Sequence, residues 1–161
     1  MEVPRLGLRV GASAALGPEP CPVPAAARQV MCLGGALLAV HFAAWFASLK
    51  TIPVMRSTLL VTIAPIWAGL IELGVLRRPP AIRFWLGLLV ALPGVGLMCS
   101  IGALSGDIRG DLLAILGGIS GAAYFVIGGE VRKRVEVTAY AATVCGVAAL
   151  CLLPWIALGD A

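Results

Sequence analysis

An uncharged stretch of 21 residues runs from Gln29 to Leu49 and reads QVMCLGGALLAVHFAAWFASL. A helix of about 20 apolar residues is long enough to cross the hydrocarbon core of a bilayer. The whole chain has 161 residues, of which 60% are hydrophobic and 12% are charged. Soluble domains carry roughly 25% charged residues, so the composition excludes a soluble globular protein. The stretch therefore predicts a membrane-spanning helix.

Four further stretches of this kind follow along the chain, separated by short charged loops. They cover residues 57–76, 84–106, 112–129 and 137–159, and the only formal charge inside them is Glu72. The strands of a membrane β-barrel are about ten residues long and alternate in polarity, which is not the pattern here. The sequence predicts an all-α membrane protein built as a bundle of five transmembrane helices.

The basic residues divide unequally between the two predicted sides of the membrane. Three lie on one side, namely Lys50, Arg56 and Arg109. Nine lie on the other, namely Arg5, Arg9, Arg28, Arg77, Arg78, Arg83, Arg132, Lys133 and Arg134. The positive-inside rule then predicts a multi-pass protein of the cell (plasma or inner) membrane, with a cytoplasmic N-terminus and an external C-terminus. A bilayer also explains the net charge of +4 better than nucleic acid, which we do not expect as a partner.

Residues 1–28 differ in composition from the rest. Prolines at alternate positions in the segment GPEPCPVP, residues 17–24, favour an extended backbone, so we interpret residues 1–28 as a proline-rich flexible leader.

Further on, the prolines after Arg78 end the second span, and Asp111 is a plausible N-cap for the fourth. The five cysteines form no CxxC pair, so neither a disulfide framework nor a zinc site is indicated.

Two ionisable residues lie inside the predicted spans, where such residues are costly and often functional. His41 is in the middle of the first span, and it is either a hydrogen-bonded interior residue or a carrier of protons. Glu72 either reaches the membrane surface and pairs with Arg77 or takes part in ion coupling. With one histidine and one intramembrane carboxylate, the chain has too few groups for paired acid–base or metal chemistry. We expect no enzyme activity, no metal and no cofactor.

Aromatic and polar residues near the middle of the spans are candidates for lining a cavity for a small organic solute. These candidates are His41, Trp45, Thr62, Trp67 and Tyr124. Two prolines in mid-span, Pro65 and Pro93, are expected to kink their helices, as in many transporters and in other membrane proteins as well. The small residues of Gly117-x-x-x-Gly121 are expected to pack against a neighbouring helix.

An ordered series of segments resembles the EamA-type transporters of the drug/metabolite transporter superfamily. The segments are ALLAVHFAAWFASLKTIPV from Ala36, STLLVTIAPIW from Ser57, FWLGLLVALPGVGLM from Phe84, and the run from Gly106 to Tyr124. The resemblance implies a fold of ten helices in two inverted five-helix repeats around a central cavity. The five spans resemble the third to seventh of these helices. Residues 29–106 then correspond to the end of the first repeat, and residues 107–161 to the start of the second.

The same resemblance implies that intact relatives move small organic metabolites or drugs across the membrane, often outward. The sequence departs from the family at Arg77-Arg78-Pro79, which replaces a glutamate that the family often carries after its fourth helix. Five of the ten helices have no counterpart here, so we expect a truncated or partial transporter. A homo- or hetero-oligomer would then supply the missing helices. The alternative is a non-transporting membrane subunit or remnant that packs against another helical membrane protein.

Overall fold

The computed structural model describes residues 24–102 and 107–158, and it contains no strand within them. The helices are α1 Ala25–Leu49, α2 Val54–Thr62, α3 Ala64–Gly74, α4 Ile82–Gly102, α5 Ile108–Val131 and α6 Val137–Leu158. The prediction of an all-α protein is confirmed. The predicted leader lies outside the described residues as far as residue 23.

Four segments are long and apolar enough to cross a membrane. They are Ala25–Leu49, Val54–Gly74, Ile108–Val131 and Val137–Trp155, the second of which combines α2 and α3. Helix α4 has 21 residues, and its described apolar part runs over Ile82–Leu97. Each of the five predicted spans thus corresponds to helix in the fold, and over the described residues four of them are long and apolar enough to cross a membrane. The helices of the first four predicted spans begin two to four residues before the corresponding uncharged stretches, because polar residues at the membrane surface still belong to the helices.

Large apolar side chains cover much of the outer surface of the bundle. Leu89, Val90, Phe125 and Leu150 are each more than 60% exposed. Large apolar side chains exposed in such number are unusual in soluble monomers, whereas in lipid their exposure carries no penalty. The buried positions are instead mostly small, because helices in lipid associate through close packing rather than through the hydrophobic effect.

The second predicted span is broken in two. Helix α2 ends at Thr62, and α3 begins at Ala64 with Pro65 in its first turn. Proline has no amide hydrogen, and its ring collides with the carbonyl four residues earlier in a continuous helix. The amide of Ile66 bonds the Ile63 carbonyl at 2.9 Å, which tightens the backbone at the break. The kink expected at Pro65 is therefore a full break between two helices.

Helices α1 and α5 form the centre of the bundle. Helix α6 packs against α1, while α2 and α3 pack against α5. Helix α4 lies at the edge, where it contacts α2 and approaches Gly69 of α3 through Phe84 and Trp85. The middle of any site shared by these helices therefore lies between α1 and α5.

Salt bridges mark the two ends of the bundle. At the Asp111 end, Arg56 of α2 and Asp111 of α5 form a two-pronged salt bridge in which Nε and Oδ1 are 2.7 Å apart. At the Glu130 end, Glu130 of α5 accepts from Arg78 Nη1 and Lys133 Nζ, both at 2.8 Å. Loops predicted to share a side of the membrane thus meet at the same end of the bundle.

The expectation that Asp111 caps the fourth span is wrong. The N-cap of α5 is Asp107, whose extended backbone lets its carboxylate accept from the Arg109 amide at 3.1 Å. Asp111 lies one turn inside the helix, where its carboxylate binds Arg56. The correction follows from the start of α5 at Ile108, four residues earlier than the predicted span.

Candidate functional site

Two glycines of α5 form a notch against α1. A Cβ atom placed on Gly117 would lie 3.3 Å from the His41 carbonyl oxygen, and one on Gly121 would lie 2.7 Å from His41 Nδ1. A real Cβ does not fit at the second distance unless the ring moves. The packing role predicted for Gly117 and Gly121 is confirmed, and the surface that they pack against is the face of α1 that carries His41 and Trp45.

His41 is held in this notch by a hydrogen bond across the two helices. Its Nδ1 lies 2.7 Å from the carbonyl oxygen of Gly117. Because a carbonyl can only accept, Nδ1 carries the hydrogen, and in the neutral ring Nε2 is left as an acceptor. The Ser120 hydroxyl donates to the Leu116 carbonyl at 2.8 Å and lies 3.1 Å from the same Gly117 carbonyl. This is the contact expected of a hydrogen-bonded interior histidine.

Trp45 lies one turn from His41, and their ring centroids are 6.0 Å apart. Its ring packs against the buried cluster formed by Ile52, Val61 and Ala114. The indole Nε1 is buried without a hydrogen-bond acceptor among the described residues. An unpaired buried donor costs about 1–3 kcal/mol. The structure thus places an available donor and, on His41, an available acceptor on the same face of α1.

Tyr124 lies one turn along α5 from Gly121, toward the Glu130 end. Its ring stacks on Tyr140 of α6 with the centroids 6.5 Å apart. Tyr140 is 4% exposed, and its hydroxyl is buried without a partner in the described part of the chain. Sequence reasoning missed Tyr140. The available signal was that it is one of only two tyrosines in the sequence and lies in an uncharged span.

The two candidates on the second span are not brought to His41. Thr62 is exposed, and its hydroxyl donates to the Leu59 carbonyl at 2.9 Å. Trp67 is half-buried on α3, beyond the break at Pro65. Within residues 24–102 and 107–158, neither side chain makes a hydrogen bond or ring contact with His41. The structure therefore groups His41 and Trp45 with α5 and leaves Thr62 and Trp67 apart from them.

Glu72 and Pro93 lie away from the notch. Glu72 is half-buried near the end of α3, and its carboxylate forms no salt bridge with Arg77 in the described structure. Its backbone carbonyl accepts from the Arg78 amide at 3.0 Å, where the chain turns through a positive φ of 53° at Arg77. Pro93 is exposed inside α4, which continues to Gly102.

Cavities open on the surface of the described bundle, and two of them lie against α1 and α5. The larger, of about 350 Å³, lies at the Glu130 end between the start of α1 and the end of α5. The smaller, of about 210 Å³, is an apolar groove lined by α1, α5 and Trp155. Neither is lined by the five candidate cavity residues. Among the described residues, no three His, Cys, Asp or Glu side chains lie close enough to hold a metal ion.

Comparison with known proteins identifies the family. The model of the EamA-like transporter family matches residues 13–100, which is more than half of the chain and includes α1 to α3 and all but the last two residues of α4. No curated protein and no solved structure gives a significant match. The assignment of residues 107–161 to a second repeat lies outside the matched range and stays a prediction. With its apolar helices and this match, the chain is a multi-pass membrane protein of the transporter type and belongs to the EamA-like transporter family.

Proposed function

We propose that the protein moves small organic metabolites or drugs across the cytoplasmic membrane, with no enzymatic step. The observation that carries this proposal is the pair on α1, in which the indole N–H of Trp45 is buried without an acceptor beside the fixed ring of His41. A solute with an acceptor atom would offset the cost of the unpaired N–H. Aromatic rings beside such polar groups are typical of sites for organic ligands.

The broken second span supports movement around this pair. A break at Pro65 frees backbone groups and lets the two halves of a span tilt separately, as in transporters that rock about a central site. Thr62 and Trp67 flank the break, so tilting would change their distance from His41. We assign Tyr124 to the same pathway, one turn nearer the Glu130 end. His41 and Glu72 are the residues that we propose for coupling transport to a proton or another ion.

Reconstitution into liposomes tests the proposal. A screen of small organic solutes should find uptake or efflux above that of empty vesicles. For a transported solute, Trp45→Phe keeps the ring but removes the N–H, so transport should fall about three- to tenfold, the equivalent of one hydrogen bond. The matched control is Trp155→Phe, at a half-exposed tryptophan, and it should leave transport unchanged. Absence of flux for every solute, or equal loss in both variants, would count against the proposal.

We further propose that the Glu130 end faces the cytoplasm, which puts the N-terminus inside and the C-terminus outside. Seven basic residues of the described chain lie at or beside this end: Arg28, Arg77, Arg78, Arg83, Arg132, Lys133 and Arg134. The Asp111 end has three, namely Lys50, Arg56 and Arg109. Loops rich in lysine and arginine stay in the cytoplasm, which supports this orientation.

A second candidate function is that of a membrane subunit that packs against another helical chain. At Gly87, Gly94 and Gly96 of α4, a Cβ atom would have no described neighbour within 4 Å. Small residues exposed in this way on a membrane helix allow close approach of another helix. An inverted-repeat carrier needs two five-helix halves, so a second copy or a different chain on α4 would also complete a transporter. Mass measurement after purification in mild detergent tests this; a clean monomer would weigh against it.

A further inference from the structure

The larger cavity combines an apolar floor with a charged rim. Its apolar lining comes from Ala26, Ala27 and Val30 of α1 and from Val131 and Val135 beyond α5. Its charged lining residues are Glu130 and Arg134. The cavity of about 350 Å³ thus lies where apolar spans give way to charged loops, at the level of lipid headgroups.

The charge around this cavity is positive. Glu130 is already neutralised, because Arg78 and Lys133 each contact its Oε1 at 2.8 Å. The guanidinium of Arg134 makes no hydrogen bond or ion pair with any described residue. Charged residues that line the cavity, adjoin a lining residue in sequence or pair with Glu130 are mostly basic. Five are basic and two are acidic; they are Arg28, Arg78, Arg132, Lys133 and Arg134, with Glu130 and Glu136.

The other nearby arginine on this loop is already engaged. Arg132 Nε donates to the Gly128 carbonyl at 3.1 Å, and its guanidinium lies 5.9 Å from the centre of the Tyr140 ring. Arg134 is therefore the cavity-lining cation that has its side-chain donors available. A guanidinium binds a phosphate through two parallel hydrogen bonds, and basic pockets between membrane helices bind anionic lipid headgroups.

We infer that this cavity is a binding site for an anionic phospholipid, with the headgroup phosphate at Arg134 and the start of an acyl chain on the apolar floor. A soluble anion would gain nothing from the alanine and valine lining. A zwitterionic phospholipid would gain less from the excess of positive charge. The inference rests on the cavity and its charges and is independent of whether the protein transports a solute.

Native mass spectrometry of the full chain tests the inference. The protein in detergent is mixed with equal amounts of phosphatidylglycerol and phosphatidylcholine that carry the same acyl chains, and the lipid retained is measured. The wild type should retain phosphatidylglycerol preferentially. One basic residue near a membrane surface changes anionic lipid binding about fivefold, so Arg134→Gln should lower the preference by about that factor. The matched control is Arg109→Gln, an exposed arginine at the Asp111 end, and it should have no effect.

A second pair of variants tests the apolar floor without changing charge. Ala26→Trp should fill the cavity and reduce retention of phosphatidylglycerol. Ala149→Trp, at an exposed position on α6, should not. Equal retention of the two lipids by the wild type would overturn the inference, and so would equal effects within either pair of variants. Displacement of phosphatidylglycerol by millimolar inorganic phosphate would overturn the assignment to a lipid, since it would identify a site for a free anion.

Discussion

The glycines of the α1–α5–α6 core and those of α4 lie in opposite environments. In the core, Gly35, Gly110 and Gly121 are each so close to a neighbouring helix or loop that a Cβ would lie within 3.0 Å of another atom. On α4, Gly87 and Gly94 have no described neighbour within 4 Å of a Cβ position. Both sets occur in largely apolar helices. A glycine in a membrane helix therefore permits close packing, but the partner decides whether that packing occurs.

The largest expected effect comes from filling a core glycine. Gly35→Leu would drive a side chain into Val147 and toward the Val144 carbonyl, which lies 2.9 Å from the Cβ position. A backbone carbonyl cannot move aside without distorting its helix, so we expect a loss of stability of about 3 kcal/mol, equivalent to roughly 10 °C in Tm. Thermal unfolding in detergent measures it. Gly94→Leu on α4 is the control, and an equal loss there would remove the distinction between the two regions.

The two ends of α5 provide the next largest difference. The Arg56–Asp111 pair is two-pronged and its side chains are 24% and 20% exposed, whereas the Arg78–Glu130 pair is 65% and 43% exposed. Breaking a shielded pair leaves a charge without its partner, so Asp111→Asn should cost about 2 kcal/mol. Exposed pairs contribute little, so Glu130→Gln should cost less than about 0.5 kcal/mol. Thermal unfolding in detergent measures both variants. A larger loss of stability for Glu130→Gln than for Asp111→Asn would contradict the account.

A smaller effect is expected at the notch itself. His41→Leu removes the hydrogen bond to the Gly117 carbonyl but keeps an apolar side chain of similar size. One neutral hydrogen bond contributes about 1 kcal/mol, so Tm should fall by a few degrees. Leu89→Ala, at a 65% exposed position on α4, should lower Tm by less. If His41→Leu unfolds at the wild-type temperature, the hydrogen bond does not stabilise the contact of α1 with α5.

The smallest effect is expected on α4, and its sign is informative. Gly94→Ala adds a methyl group into open space and improves helix propensity, which stabilises an exposed helix by about 0.5–1 kcal/mol. An unchanged or slightly raised Tm is the expected result. A clear fall in Tm together with a smaller molecular mass in detergent would show that another chain already covers this face of α4, and would favour the subunit interpretation.

Apolar length and charge placement were sufficient to predict the helices, because the bilayer imposes both. The uncharged stretches locate α1, α5 and α6 to within a few residues, and the charged loops separate into two ends as expected. The break at Pro65 was foreseen as a kink, but the sequence could not show that α2 ends outright. Local chemistry also suggested Asp111 as a cap, but α5 begins earlier and Asp107 is its cap. The partner of Asp111 is Arg56, 55 residues away along the chain, and the local sequence did not indicate it.

The candidate site was harder to predict, because it also depends on contacts between residues that are far apart in the sequence. His41, Trp45 and Tyr124 stood out because polar and aromatic groups are unusual in mid-span. Which of them share a site depends on helix rotation, and rotation is set by glycine contacts such as Gly121 with His41. Thr62 and Trp67 lie on either side of the break at Pro65, so their positions relative to His41 depend on how α2 and α3 pack as separate helices. Tyr140 carried no spacing signal, since its importance arises from Tyr124 on another helix.

The central claim is that the chain crosses the membrane repeatedly, so that the loop before α4 and the start of α5 lie on opposite sides. Pro79→Cys and Ile108→Cys, both at exposed positions, can be placed singly in a chain whose five cysteines are replaced by alanine. A membrane-impermeant maleimide is then applied to intact cells. We expect Ile108→Cys to react at once and Pro79→Cys to react only after the membrane is permeabilised. Reaction of both from the same side would contradict the account, because α4 would then not cross the bilayer.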